Sequence, residues 1–146
     1  MIEKASANLP FSCQQVFDLA ADIEKYPQFL HGWIAARINQ RDGNIWHVEQ
    51  TMGVGPLQLT FTSKAVLDGP RRIDVTSTQD PFRQYSFSWQ ISELSTGGCH
   101  IGIAAEFEFR SPLLQLAANK VAPAVIADTL TSFERRAHAL YDAPEA

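Results

Sequence analysis

Four histidines, two cysteines and one close pair of glutamates are the residues best suited to chemistry here. His31, His47, His100 and His138 have no metal-ligand spacing, so no metal site is expected and each reads as surface or turn. His31 stands out because it lies between Leu30 and Trp33, just after the Tyr26-Pro27 turn. Cys13 and Cys99 are too few for a disulfide framework or a zinc site, and reduced cytosolic thiols are expected. Glu106 and Glu108 share one strand face, the start of an acid–base pair. They alternate with Phe107 and Phe109, which should point inward, so the glutamates are expected in solvent. Gly53-Val54-Gly55 opens like a dinucleotide fingerprint, but Gln58 stands at the last glycine position and no helix follows, so it reads as a turn. No lysine follows a glycine, which excludes a phosphate-binding P-loop, and no G-x-S-x-G elbow is present. Neither catalytic residues nor a cofactor are expected.

Composition narrows the classes further. A chain of 146 residues with 45% hydrophobic and 19% charged residues suits one globular domain spanning 1–146. The net charge is −4. Nucleic-acid binders show a basic stripe, and the only adjacent basic residues are Arg71-Arg72 and Arg135-Arg136, both read as solvated surface. No DNA partner is expected. The start, Met1-Ile2-Glu3-Lys4, lacks a secretory pattern, and no uncharged stretch reaches the ~18 residues of a membrane span. The expected location is cytoplasmic, with peripheral contact at an inner membrane left open.

The elements that must position any site follow from periodicity. A first strand covers about Ile2 to Leu9. Ser12 and Gln15 form a capping box for a helix with Val16, Phe17 and Ala20 on one face. Asp22 is expected to cap a second short helical turn that Tyr26-Pro27 ends. From about residue 33 the period becomes two, with turns at Arg41–Asn44, Asp68-Gly69-Pro70, Gln79-Asp80-Pro81 and Gly97-Gly98. Six strands result, each with one apolar face. From Ser111 to about Tyr141 apolar residues recur three and four apart, which predicts a long helix, and Pro123 predicts a kink or break near Lys120–Pro123. The fold class is α+β: a curved antiparallel sheet of about seven strands, two short helices after the first strand, and a long C-terminal helix that must cover the apolar face.

The strongest remaining signal is aromatic. Trp33, Phe61, Phe87, Trp89, Phe107 and Phe109 can all project from the concave face. A filled core and a hollow pocket need the same apolar face, so the pattern alone leaves both open.

Several segments together resemble a known family. They are Leu9-Pro10-Phe11-Ser12, Val16-Phe17-Asp18-Leu19, Ala21 through Leu30, Gly69-Pro70-Arg71-Arg72-Ile73, Pro81-Phe82-Arg83, Phe107-Glu108-Phe109 and Phe133 through Ala137. In this order they resemble the coenzyme Q-binding proteins and ribosome-association toxins of the START-like, polyketide cyclase/dehydrase and lipid-transport superfamily. Leu30-His31-Gly32-Trp33 departs from a Pro-Trp-Cys type segment in relatives. The resemblance implies a helix-grip fold with a hydrophobic tunnel between sheet and C-terminal helix. The tunnel would hold ubiquinone or another polyprenyl lipid and be lined by Phe29, Trp33, Phe61, Phe87, Trp89, Phe107, Phe109, Leu116, Val121 and Val125. Polar candidates near its mouth are His31, Gln50, Tyr85 and Gln90. The Gly53–Pro56 turn and the Pro123 region are candidates to move for entry. The implied role is a quinone carrier supporting respiration or quinone biosynthesis. The alternatives are a toxin-like inhibitor binding the large ribosomal subunit and a polyketide aromatase/cyclase.

Overall fold

The computed structural model describes residues 2–54 and 56–142. The first strand, β1 (Ile2–Leu9), leads into α1 (Cys13–Ala21), a 3-10 turn at Ile23–Lys25 and a one-turn helix, α2 (Tyr26–Phe29). Six strands follow: β2 (Trp33–Asp42), β3 (Ile45–Val54), β4 (Leu57–Asp68), β5 (Arg72–Ser77), β6 (Phe82–Glu93) and β7 (Cys99–Phe109). The chain then forms α3 (Pro112–Tyr141). All seven strands lie in one antiparallel sheet of order β1-β7-β6-β5-β4-β3-β2. β2 to β7 is thus an uninterrupted meander, because short turns set each strand antiparallel beside its predecessor.

Local chemistry explains the turns. Ser12 Oγ accepts from the Gln15 N–H at 3.1 Å, and Gln15 Oε1 accepts from the Ser12 N–H at 3.0 Å, so the capping box is complete. Gly69 lets α1 pack against the β4–β5 turn: a Cβ there would lie 2.8 Å from the Phe17 ring. Two expectations need correction and one is extended. Asp22 makes no side-chain cap, its carboxylate lying instead 3.8 Å from Lys25 Nζ. Tyr26-Pro27 ends the 3-10 turn as expected and also opens α2, since proline in a first turn gives up an N–H that has no partner there anyway. Arg136 is half-buried, with its guanidinium 5.4 Å from the centre of the Phe29 ring, so that pair is not all solvated surface.

α3 closes the concave face. Its buried residues are Ala118, Ala122, Val125, Ile126, Thr129, Leu130, Phe133 and Ala137. They recur three and four apart, one stripe of a 3.6-residue helix. The three alanines let the helix axis come close, and Phe133 fills the gap against Trp89, ring centres 4.8 Å apart. Both ends are tied down. Gln115 accepts from the Phe109 N–H at 2.8 Å and donates to the Phe107 carbonyl at 3.0 Å. Tyr141 donates its hydroxyl proton to the Gln15 carbonyl at 3.1 Å.

Of the kink or break expected at Lys120–Pro123, the break is absent: α3 runs continuously through Pro123. Pro123 sits on the exposed side, where the carbonyl it leaves unbonded can turn to water, and packing of the opposite stripe holds the helix across the gap. Pro123→Ala restores one helical hydrogen bond and removes the ring clash, so it should stabilise the fold by about 1–3 kcal/mol. Urea unfolding midpoints of the two proteins check this, and an unchanged or lower midpoint refutes it.

Candidate functional site

The inner face of the sheet holds two aromatic groups. In one, Tyr26, Trp33, Phe87 and Trp89 meet edge to face or tilted, with successive ring centres 5.3–5.5 Å apart. With Ile23, Val48, Gln50, Val75 and Tyr85 they enclose a space of about 10 Å³. That is room for about one water, so the interior is packed nearly full. In the other group Phe61, Phe82, Tyr85, Phe107 and Phe109 pack with centres 4.8–5.6 Å apart along most contacts. Edge and offset contacts of this kind add about 0.5–1.5 kcal/mol each beyond burial.

Polar groups are few and buried. Gln50 donates to the Tyr85 hydroxyl at 3.3 Å and to Met52 Sδ at 3.5 Å. Ser63 Oγ donates to Gln50 Oε1 at 3.2 Å. Tyr85 donates to Met52 Sδ at 3.6 Å. Tyr26 donates to the Ala20 carbonyl. Trp89 Nε1 is buried, and its N–H lies beside the Tyr26 hydroxyl without reaching full hydrogen-bond geometry.

Outside this interior lies an open groove of about 460 Å³ between β2 and α3. His31, Trp33, Ile34, Lys120, Val121 and Val125 are among its walls. Trp33 therefore separates groove from interior, touching both. The loop before it is pinned to α3. The His31 N–H donates to Ser132 Oγ at 3.0 Å, and the His31 carbonyl accepts from Thr129 Oγ1 at 3.1 Å. Gly32 (φ +104°) offers its carbonyl to the Gly53 N–H at 2.8 Å, a bend that favours glycine.

The candidate residues thus divide. Trp33, Phe87 and Trp89 line the enclosed space, while Phe61, Phe107 and Phe109 belong to the filled cluster beside it. Phe29 is half-buried and packs on Tyr26 and Arg136, outside the enclosed space. Val121 and Val125 face the groove, and His31 stands exposed on its rim, 3.9 Å from Asp128. Gln50 and Tyr85 lie deep inside rather than at a mouth. Two positions are corrected. Leu116 is 62% exposed, because it is two residues, about 200°, around the helix from buried Ala118. Gln90 is exposed on the outer face, since its neighbours Trp89 and Ile91 both point inward. Phe82 and Tyr26 join the interior and were not foreseen. Phe82 is three residues from Tyr85 and yet shares its face, because an irregularity between Phe82 and Gln84 shifts the register. Its only sequence signal is the preceding Asp80-Pro81 turn. The movable-turn candidate at Gly53–Pro56 includes Gly55, which lies outside the described residues, as does the end of the Gly53-Val54-Gly55 run.

The remaining histidines stand apart: His47 lies 3.6 Å from Asp42, His100 2.7 Å from Asn8 and His138 3.0 Å from Asp142. No group of three metal-ligating side chains occurs among the described residues. Cys13 and Cys99 are free thiols that the fold brings together. Burial, and then the neighbouring Cys13 thiol, push Cys99 up to about 12, so it is protonated and unreactive at neutral pH.

Burial also pushes Tyr26 and Tyr85 well above the ordinary tyrosine value of 10.0, offset in part by the Trp89 N–H at Tyr26 and by Gln50 at Tyr85. A raised folded-state value means the native state keeps protons that the unfolded chain loses. The stabilisation is complete below pH ~10 and is lost as pH rises further, by up to about 1.4 kcal/mol per pH unit per tyrosine. Urea midpoints should begin to fall near pH 9, where the unfolded chain loses the Cys99 proton, and fall more steeply above ~10, and Tyr85→Phe should shallow the steeper part. A flat profile to pH 12 contradicts this.

Comparison with known proteins agrees with this architecture. The family described as polyketide cyclase / dehydrase and lipid transport matches residues 9–134. The ribosome association toxin RatA of Escherichia coli K12 is 28% identical over 138 residues, 94% of this chain and 87% of that protein. The mitochondrial coenzyme Q-binding protein COQ10 of Dictyostelium discoideum is 22% identical over 143 residues, 95% of this chain and 70% of that protein. A START superfamily protein from Mycobacterium smegmatis superposes with a TM-score of 0.82 at 15% identity, covering 95% of this chain and 98% of that one. A seven-stranded sheet gripped by one long helix, together with a family match across most of its length, places this chain in the polyketide cyclase / dehydrase and lipid transport family.

Proposed function

We propose that this protein binds a hydrophobic ligand, ubiquinone or another polyprenyl lipid, between sheet and α3, and acts as a quinone carrier. The observation that carries the reading is Trp33. It is the wall shared by the apolar groove of about 460 Å³ and the aromatic interior. A ligand laid in the groove meets the interior by displacing one side chain. Each CH₂ buried contributes roughly 0.8 kcal/mol, so one five-carbon prenyl unit supplies about 4 kcal/mol. That is enough to offset a few edge-to-face aromatic contacts. The likeness to COQ10 supports the same ligand class. The titratable groups lining the enclosed space are Tyr26 and Tyr85, both held protonated by burial. This supports binding over cyclase-like acid–base chemistry. No helix among the described residues is long and apolar enough to cross a membrane. Exposed Ile34 in the groove wall, with exposed Leu113 and Leu116 in the first turns of α3, would serve transient contact with a membrane surface, in keeping with a cytoplasmic carrier.

A second reading, association with the ribosome, is favoured by the likeness to RatA. Most surface arginines here sit beside carboxylates: Arg37 with Glu49, Arg71 with Asp68, Arg72 with Asp74, Arg83 with Glu108 and Arg110 with Asp80. Phosphate contact would have to compete with those partners, so a ribosomal protein would be the better-matched surface.

Solvent extraction of freshly purified protein, with mass spectrometry of the extract, tests the first reading. A near-stoichiometric quinone or prenyl lipid is expected. If the extract stays empty after incubation with quinone-containing membranes while the protein sediments with the large ribosomal subunit, the second reading replaces the first.

A further inference from the structure

We infer that the solvent-facing stripe on the first half of α3 docks onto an anionic lipid bilayer and sets the groove beside it against that bilayer. This face would hand over the apolar ligand that the groove is read as taking, and its purpose rests on that reading. Leu113, Leu116, Lys120, Pro123, Ala124 and Ala127 are all exposed. Spaced three and four apart, they are neighbours along one face of the helix. Leu113 is 77% exposed and Leu116 62%. Contiguous apolar surface of this kind marks an interaction site. Ile34, 50% exposed, continues it from β2, since it lines the groove together with Lys120 and Ala124.

Charge decides what covers this face. From Ser111 to Ala127 the sequence carries one charged residue, the cation Lys120, although the whole chain is at −4. Lys120 forms no ion pair among the described residues. The first carboxylate further along α3, Asp128, lies past the stripe and 3.9 Å from His31. Leucines around a lone cation match hydrocarbon beneath negative headgroups. The leucines enter the acyl boundary, and the long Lys120 stem lets its ammonium stay among the phosphates. A second copy of this chain fits less well. Two-fold pairing about the middle of the stripe sets Lys120 against its own copy, with no carboxylate in the stripe to separate the two cations. On a bilayer, the groove of about 460 Å³ opens at the lipid, and an apolar ligand passes between them without crossing water.

Flotation of the intact protein with ligand-free vesicles tests this, phosphatidylcholine alone against phosphatidylcholine mixed with phosphatidylglycerol. Wild type should bind the mixed vesicles about fivefold more tightly, the factor of one cation at an anionic surface. Lys120→Gln should remove that preference and leave binding to phosphatidylcholine unchanged. Leu113→Ser and Leu116→Ser should each weaken binding to both vesicles roughly tenfold. Leu140→Ser is the control. That leucine is also exposed, but it lies about 200° round the helix from Lys120, so its loss should leave binding unchanged. All four side chains are on the surface, so the variants should keep the wild-type urea midpoint. Wild type that floats with neither vesicle overturns the docking surface. Binding that survives both leucine changes, or falls equally with Leu140→Ser, also overturns it. Sedimentation velocity reads the other occupant: a wild-type dimer that Leu113→Ser or Leu116→Ser separates overturns the bilayer in favour of a second copy. The vesicles hold no quinone, so these outcomes are independent of solvent extraction. Protein that floats but yields an empty extract supports the docking surface and overturns the ligand reading.

Discussion

The contact between α3 and the concave face of the sheet is the interaction on which the rest depends. A single antiparallel sheet with one apolar face cannot stand in water, and α3 is the one long helix among the described residues available to cover it. The contact centres on Phe133, which is completely buried against Trp89. Removing a buried aromatic of this size costs about 3–5 kcal/mol, a large part of the ~5–15 kcal/mol that holds a domain together. The helix is accordingly secured along its length. Gln115 holds its start to β7, Thr129 and Ser132 hold its middle to the His31 loop, and Tyr141 holds its end to α1.

That same contact sets up a conflict between packing and binding. A close-packed interior is stable because it has no voids, and a carrier needs space. Here the enclosed space is about 10 Å³, so any bound lipid must replace protein contacts with its own. The replacement is easiest where the wall is thinnest, at Trp33, and hardest around Phe61, Phe82 and Phe107, where aromatic rings pack against one another on several sides. A ligand entering from the groove exchanges apolar surface for apolar surface, so the hydrophobic term nearly cancels inside. The net gain then comes from the tail it takes out of water.

Much of the fold was legible in the sequence because period-2 patterning leaves little choice of face. Leu59, Phe61, Ser63, Ala65 and Leu67 alternate with Thr60, Thr62, Lys64 and Val66 and are all buried, and one register serves the whole of β3–β4. The capping box at Ser12 was legible for the same reason, being a purely local arrangement. What was missed depends on departures from regularity. Phe82 turned inward because of a shift in register that no alternation rule anticipates. Pro123 remained helical because its ring faces solvent while the opposite stripe is packed, a tertiary effect that outweighs local propensity.

The candidate site was less legible than the fold, and Gln50 illustrates why. Its position on an inward strand face follows from alternation with Val48 and Met52. Its depth does not, because depth depends on how far the sheet curves and how closely α3 approaches, and both are set by distant residues. A polar side chain on an inner face reads equally well as the rim of a tunnel or as the centre of a closed interior. Its partners decide between them. Gln50 can be buried at 3% exposure because Ser63, Tyr85 and Met52 meet its amide from β4, β6 and β3 itself. Gln50 and Tyr85 lie 35 positions apart in sequence, and the four residues converge only after the four strands β3 to β6 have paired. The chemistry of this site is thus a property of strand register, and a one-residue slip of β6 would send Tyr85 to solvent and leave Gln50 buried without its hydroxyl partner.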